Sequence, residues 1–99
     1  MGVNFFRRDD RDPKFVLFEM LDLERLLQYK AFKDFTLDDF KMILDEGLKV
    51  AREVVGPTLQ DGDQQGLVYE EGRVKVPASF HDCWKVLSEN GWFSLAVSP

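Results

Sequence analysis

Ninety-nine residues, 44% of them apolar and 13% aromatic, suit one small globular domain rather than a disordered chain, because a chain of this size can bury roughly two-thirds of its unfolded surface. A formal charge of −5 argues against a nucleic-acid partner, since binding to phosphate draws on clustered Lys and Arg that release counterions. Cys83 is the only cysteine; it leaves no internal disulfide and no second sulfur for a thiolate metal site, which fits a reducing compartment. No apolar run approaches the ~20 residues of a membrane helix and no basic-plus-apolar leader opens the chain, so a soluble cytoplasmic protein with no membrane partner is expected.

Residues 1–12 read as a charged arm, in which Arg7, Arg8 and Arg11 lie among Asp9, Asp10 and Asp12 and are largely cancelled by them. Residues 13–99 read as the domain. Pro13 is predicted to take the first position of a helix, where its missing N–H costs nothing. From Lys14 to Gln28, Phe15, Phe18, Leu21, Leu26 and Leu27 fall at roughly helical spacing. The pattern slips near Asp22, whose carboxylate is placed to cap a second short helix from Leu23, so one broken helix or two short ones are expected.

The best-patterned segment is 37–55, where Leu37, Phe40, Ile43, Leu44, Leu48, Ala51, Val54 and Val55 keep to one helical face. Thr36 and Asp39 give it a capping-box-like start, with Asp in place of the longer Glu or Gln. Gly56-Pro57 is expected to end it through a left-handed glycine and a proline that cannot continue the helix. Residues 58–66, TLQDGDQQG, are polar with two glycines and read as a surface loop. Leu67-Val68-Tyr69, a Glu-Glu-Gly turn and Arg73-Val74-Lys75-Val76 suggest a β-hairpin, marginal by itself and expected to lie on the helices. The last helix is expected from about Phe80 to Asn90, capped by Ser79 and followed by Gly91. Its Phe80, Cys83, Trp84 and Leu87 form a buried stripe with Trp84 as core anchor.

No catalytic, cofactor-binding or metal-binding residue is assigned. His81 is the only histidine and sits opposite that stripe; Cys83 at i+2 points elsewhere, so the two form no base–nucleophile pair. His81 reads as a surface residue and Cys83 as a small core residue. Asp38, Asp39, Asp45 and Glu46 belong to the polar side of the long helix, and DGDQQGLVYEE from Asp61 carries only part of a calcium-loop alternation. No His/Glu pair at i, i+4 suggests zinc, and neither a phosphate-cradling glycine loop nor a Gly-x-Ser-x-Gly elbow is present.

The closing stretch VKVPASFHDCWKVLSENGWFSLAVSP, from Val74 to Pro99, combines a valine-proline step, a short amphipathic helix, an Asn-Gly stop and a Gly-Trp-Phe run. It resembles the N-terminal helical domain of flavin-dependent acyl-CoA dehydrogenases. KVAREVVGPTLQDGDQQG, from Lys49 to Gly66, is similar to that family's helix end, proline, Gly-Asp and later glycine. The Phe15 to Leu27 segment resembles the N-terminal extension of a bacterial subgroup that includes methylmercaptopropionyl-CoA dehydrogenases. In the family a Pro-Glu-x-Gly-Gly-x-Gly stretch usually follows where this chain reaches Ser98-Pro99, so the chain reads as truncated at its C-terminal end.

The resemblance implies a mainly α fold, a small bundle of three to four helices with a short β-hairpin, as an incomplete N-terminal domain. It further implies a parent oxidoreductase of fatty acid metabolism that holds FAD between later domains. There a glutamate takes the α-proton of the acyl-CoA substrate while flavin N5 accepts the β-hydride. This chain supplies neither group, so it is expected to bind no FAD and to be inactive alone, with the parent's remaining domains as its partners. The apolar run from Trp92 to Val97 lacks a cover and predicts self-association into oligomers. The alternative is an independent small helical module whose apolar stripe binds a partner helix.

Overall fold

The structure, a computed structural model, describes residue 4 and residues 6–97. It is mainly α, with four α-helices and one two-stranded hairpin among the described residues, as the sequence pattern predicts. These residues divide into two compact units, one of residues 7–50 and one of residues 4, 6 and 51–97.

In the unit of residues 7–50, helix α1 (Arg11–Lys14) begins two residues before the expected start. Pro13 lies inside the first turn, where N–H groups have no intrahelical partner in any case. The helix then widens into a π segment, Phe15–Met20, closed by the Leu21 N–H donating to the Val16 carbonyl at 2.8 Å. A π turn takes in one more residue than an α turn, so the α-spaced set leaves its common face. Phe15 and Leu21 are exposed, while Val16 and Leu17 join Phe18 as half-buried residues. The break falls at Asp22 as expected, but through its left-handed backbone (φ 51°) and its carbonyl, which accepts the Arg25 N–H at 3.0 Å; no carboxylate cap forms. Two short 3₁₀ turns follow, Leu23–Gln28 and Lys30–Phe32.

Helix α2 (Leu37–Val50) starts from the expected capping box: Thr36 Oγ1 accepts the Asp39 N–H at 3.1 Å and Asp39 Oδ2 accepts the Thr36 N–H at 2.8 Å. Phe35, just before the cap, stacks on Phe40 with ring centroids 5.8 Å apart, adding a hydrophobic staple that fixes how the chain enters the helix. One cation ties α1 to α2, as Lys14 Nζ reaches Asp10 at 2.6 Å and Asp45 at 3.0 Å. The hydrogen bond to Asp10, and then that to Asp45, hold the Lys14 ammonium above its usual 10.5.

In the other unit, a π segment (Ala51–Val55) ends where the Gly56 N–H donates to the Ala51 carbonyl at 2.7 Å. Gly56 is not the left-handed cap its sequence suggests: the described glycines with positive φ are Gly66, Gly72 and Gly91. It is needed for close approach instead. A Cβ at Gly56 would stand 2.5 Å from Asn4 Oδ1 and 3.0 Å from both the Arg52 carbonyl oxygen and Phe6 Cβ. Asn4 holds this contact by donating from Nδ2 to the Arg52 carbonyl and accepting the Phe6 N–H on Oδ1.

The expected loop after Pro57 is helix α3 (Thr58–Gln65). Composition argues against it, since Gly62 alone costs ~1 kcal/mol relative to Ala. Pro57, already at φ −64° and ψ −22°, preorganises its start, and Gly62 admits the Phe80 ring, whose Cζ would lie 2.7 Å from a Cβ there. Packing thus overrides propensity, and Gly66 at φ 62° stops the helix.

Strands β1 (Val68–Glu70) and β2 (Arg73–Lys75) pair antiparallel, with Tyr69 opposite Val74. Glu71 and Gly72 take φ of 51° and 75°, the double positive φ of a type I′ turn. The hairpin does not lie on the helices as expected, because all six strand residues are exposed.

Helix α4 (Ala78–Glu89) begins two residues before the expected start. The extended Pro77 takes the cap position and its carbonyl accepts the Phe80 N–H at 3.0 Å, which leaves Ser79 inside the first turn with a buried, unpartnered Oγ. The half-buried side runs through Phe80, Cys83, Val86 and Leu87, rotated away from Trp84. Trp84 is therefore no core anchor: it is 65% exposed and tilts against Phe93 at a centroid distance of 4.6 Å. Gly91 follows the helix at φ 76°, as expected, and leads into a 3₁₀ turn, Trp92–Ser94. Among the described residues no hydrophobic side chain counts as buried; only Gly56 and Pro77 are enclosed.

Candidate functional site

The unit of residues 4, 6 and 51–97 carries an open apolar groove of about 650 Å³, within the range of small-molecule sites. Val55 and Gly56 from the end of the long helix, Leu59 and Gly62 from α3, Phe80 from α4 and Phe6 line it, with Thr58 and Asp63 as its polar members. Glycines recur there because the neighbouring side chains need the room: Phe6 and Asn4 against Gly56, and the Phe80 ring against Gly62. The groove offers shape and mostly apolar surface, with the Thr58 hydroxyl and the Asp63 carboxylate as the polar groups of its lining. It suits an aliphatic group or an apolar side chain.

A second concavity, in the unit of residues 7–50, is lined by Arg11, Lys14, Phe15, Phe18 and Lys41 together with Asp12 and Glu19. Lys41 Nζ stands 5.7 Å from the Phe18 ring centroid, and Lys14 is already engaged by Asp10 and Asp45. Three cations and two carboxylates share its lining, and Lys14 is already paired, so it does not concentrate one sign of charge.

His81 is exposed on α4 and Cys83 is half-buried. Of the carboxylates on α2, Asp39 is used in the helix cap and Asp45 on Lys14. Asp61 and Asp63 belong to a helix rather than to a loop, which removes the backbone geometry a calcium loop requires. Among the described residues no three His, Cys, Asp or Glu side chains gather as a metal site. Sequence reading missed the groove residues Phe6, Gly62 and Phe80 as a set. The available signal was the Leu59-to-Gly62 spacing, an apolar and a small residue on one helical face inside a polar stretch.

No protein-family model matches the chain. Two butyryl-CoA dehydrogenases of Syntrophomonas wolfei are similar to it, one 32% identical over 95 residues, 92% of this chain, and the other 34% identical over 85 residues, 82% of it. The 3-methylmercaptopropionyl-CoA dehydrogenase of Ruegeria pomeroyi is 26% identical over 86 residues, 87% of this chain. The matched stretch spans only 14–16% of these relatives' own length. By sequence, then, the chain belongs to the acyl-CoA dehydrogenases.

Proposed function

We propose that this chain is the N-terminal helical part of an FAD-dependent acyl-CoA dehydrogenase, a cytoplasmic enzyme that carries out α,β-dehydrogenation of an acyl-CoA thioester. Its role there is to form part of the wall over the acyl chain and to pack against the remaining domains. The observation that carries this reading is a chain that is 44% apolar with no buried hydrophobic side chain among its described residues. Large hydrophobic side chains such as Leu59, Leu67, Tyr69, Trp84 and Leu95 stand more than half exposed instead, as on a surface meant to be covered. The greater length of its relatives, of which it spans 14–16%, supports a reading in which further domains cover this surface. No described helix is long and apolar enough to cross a membrane.

The described residues do not fit FAD. The glycines with positive φ each close a different turn, Gly66 after α3, Gly72 in the hairpin and Gly91 after α4, and none forms a phosphate cradle ahead of a helix. On this reading FAD in the parent is held mainly by residues outside this chain. What these residues contribute is the exclusion of water from an apolar wall, which strengthens electrostatic interactions elsewhere in an active site. Alone, the chain is inactive.

Flavin titration of the isolated chain tests this: no saturable binding is expected, and roughly micromolar binding would move the cofactor site here. Self-association follows from the same bare surface. Covering even ~500 Å² of it contributes on the order of 10 kcal/mol before association costs. Sedimentation is expected to show dimers or larger species, and a clean monomer that binds no apolar dye favours an independent module. The coding sequence beyond Pro99 is the direct check: a continuation, expressed whole, should give a yellow protein that oxidises acyl-CoA thioesters, and a stop codon there favours the independent module.

A further inference from the structure

The hairpin is written as an amphipathic sheet. Tyr69 stands opposite Val74, and residues two apart along a strand share a face, so Leu67 and Val76 extend that face to four apolar side chains. The opposite face carries Val68, Glu70, Arg73 and Lys75, with Lys75 Nζ 2.8 Å from Glu70 Oε2. Alternation of this kind marks a strand covered on one side. Here the apolar side is bare: Leu67 is 67% exposed, Tyr69 75%, Val74 61% and Val76 37%.

We propose that this face docks on an uncharged apolar surface of the same polypeptide in the whole enzyme, and not on a second copy of the chain. The proposal rests on the family reading above and adds the surface and its partner. Area decides between the two occupants. At these exposures the four side chains offer on the order of 400 Å², whereas a stable complex of separate chains needs ~800 Å² from each partner. A second copy seated here alone falls short by about half. A surface on the same chain loses little freedom on docking and is present at an effective concentration of roughly millimolar. A patch of this size is enough there. The relatives, of which this chain spans 14–16%, have ample polypeptide to provide it. The charged face, with its Lys75–Glu70 pair, stays in water.

The test is a chimera in which this chain replaces the matching segment of the Syntrophomonas wolfei butyryl-CoA dehydrogenase that is 32% identical to it. Amide hydrogen exchange of residues 68–75 is followed in the chimera and in the chain alone. A two-stranded hairpin is marginal by itself, so docking should slow exchange by about ten-fold or more. The double variant Tyr69→Ser/Val74→Ser should return exchange toward the isolated-chain rate while the chimera stays yellow. In the chain alone that variant should leave sedimentation unchanged. A yellow chimera whose hairpin exchanges as fast as in the chain alone overturns the docking face and leaves the family reading standing. Loss of self-association in the double variant of the isolated chain overturns it in favour of a second copy. A chimera that folds but binds no flavin overturns the family reading, and the docking face with it.

Discussion

Replacing Gly56 by alanine puts a methyl carbon 2.5 Å from Asn4 Oδ1 and 3.0 Å from the Arg52 carbonyl oxygen and Phe6 Cβ. Of these neighbours only the Asn4 side chain can swing clear, and doing so gives up its bond to the Arg52 carbonyl. Overpacking of a close site costs about 1–3 kcal/mol, and a lost hydrogen bond adds ~1 kcal/mol. Against this stands a gain of about 0.4–1 kcal/mol from the stiffer unfolded chain. A net loss of about 1–3 kcal/mol remains, which for a domain of this size lowers the melting temperature by roughly 4 °C or more. Thermal melts followed by circular dichroism read it directly. The Asn4→Ala background supplies the control: with Oδ1 gone, part of the Gly56→Ala penalty should vanish as a coupling between the two sites. A Gly56→Ala variant that melts with the wild type, or a penalty unchanged by Asn4→Ala, refutes the close-approach argument.

Three further outcomes are expected. Lys14 is held protonated by Asp10 and Asp45 above its usual 10.5, so its contribution is complete below the unfolded value and is lost as pH rises through the folded one. The melting difference between wild type and Lys14→Gln should stay level through neutral pH and shrink in the strongly alkaline range; a difference that already falls away around neutral pH contradicts the assignment. Thr36→Ala removes one arm of the capping box at the start of α2 and should cost ~1 kcal/mol with some loss of helical signal; an unchanged melt shows the cap to be idle. Trp84→Ala forfeits a surface contact with Phe93 worth about 0.5–1.5 kcal/mol, and a loss nearer the ~3–5 kcal/mol of a buried aromatic would place Trp84 inside.

Local signals were the most legible. The reciprocal Thr36–Asp39 cap, the extent of the long helix, the break at Asp22, the hairpin and the Gly91 stop all follow from residue types whose preferences act within a few positions. What sequence reading missed depends on partners distant in the chain. The 58–65 stretch has the composition of a loop and becomes α3 because Phe80, some twenty positions later, packs on Gly62. Gly56 looks like a helix stop and serves as a seat for Asn4 and Phe6. The α4 stripe pointed to Trp84 because the i, i+4 spacing treats both flanks of Phe80 alike, whereas Val86 draws the half-buried side to the other flank. The two π segments shift the register of apolar faces in a way that a 3.6-residue template does not anticipate. As for the candidate groove, its glycines were visible but the aromatic rings they admit were not.

The Gly62–Phe80 contact makes position 62 an adjusting screw for the groove. Its near neighbour is the tip of an aromatic ring rather than fixed backbone, so a side chain added there is relieved most cheaply by swinging the ring about its own bonds. Phe80 and Gly62 both line the groove, and the swing changes its aperture while the helices stay in place. A substitution at this single position can therefore change the gauge of the groove without changing the identity of any other residue that lines it.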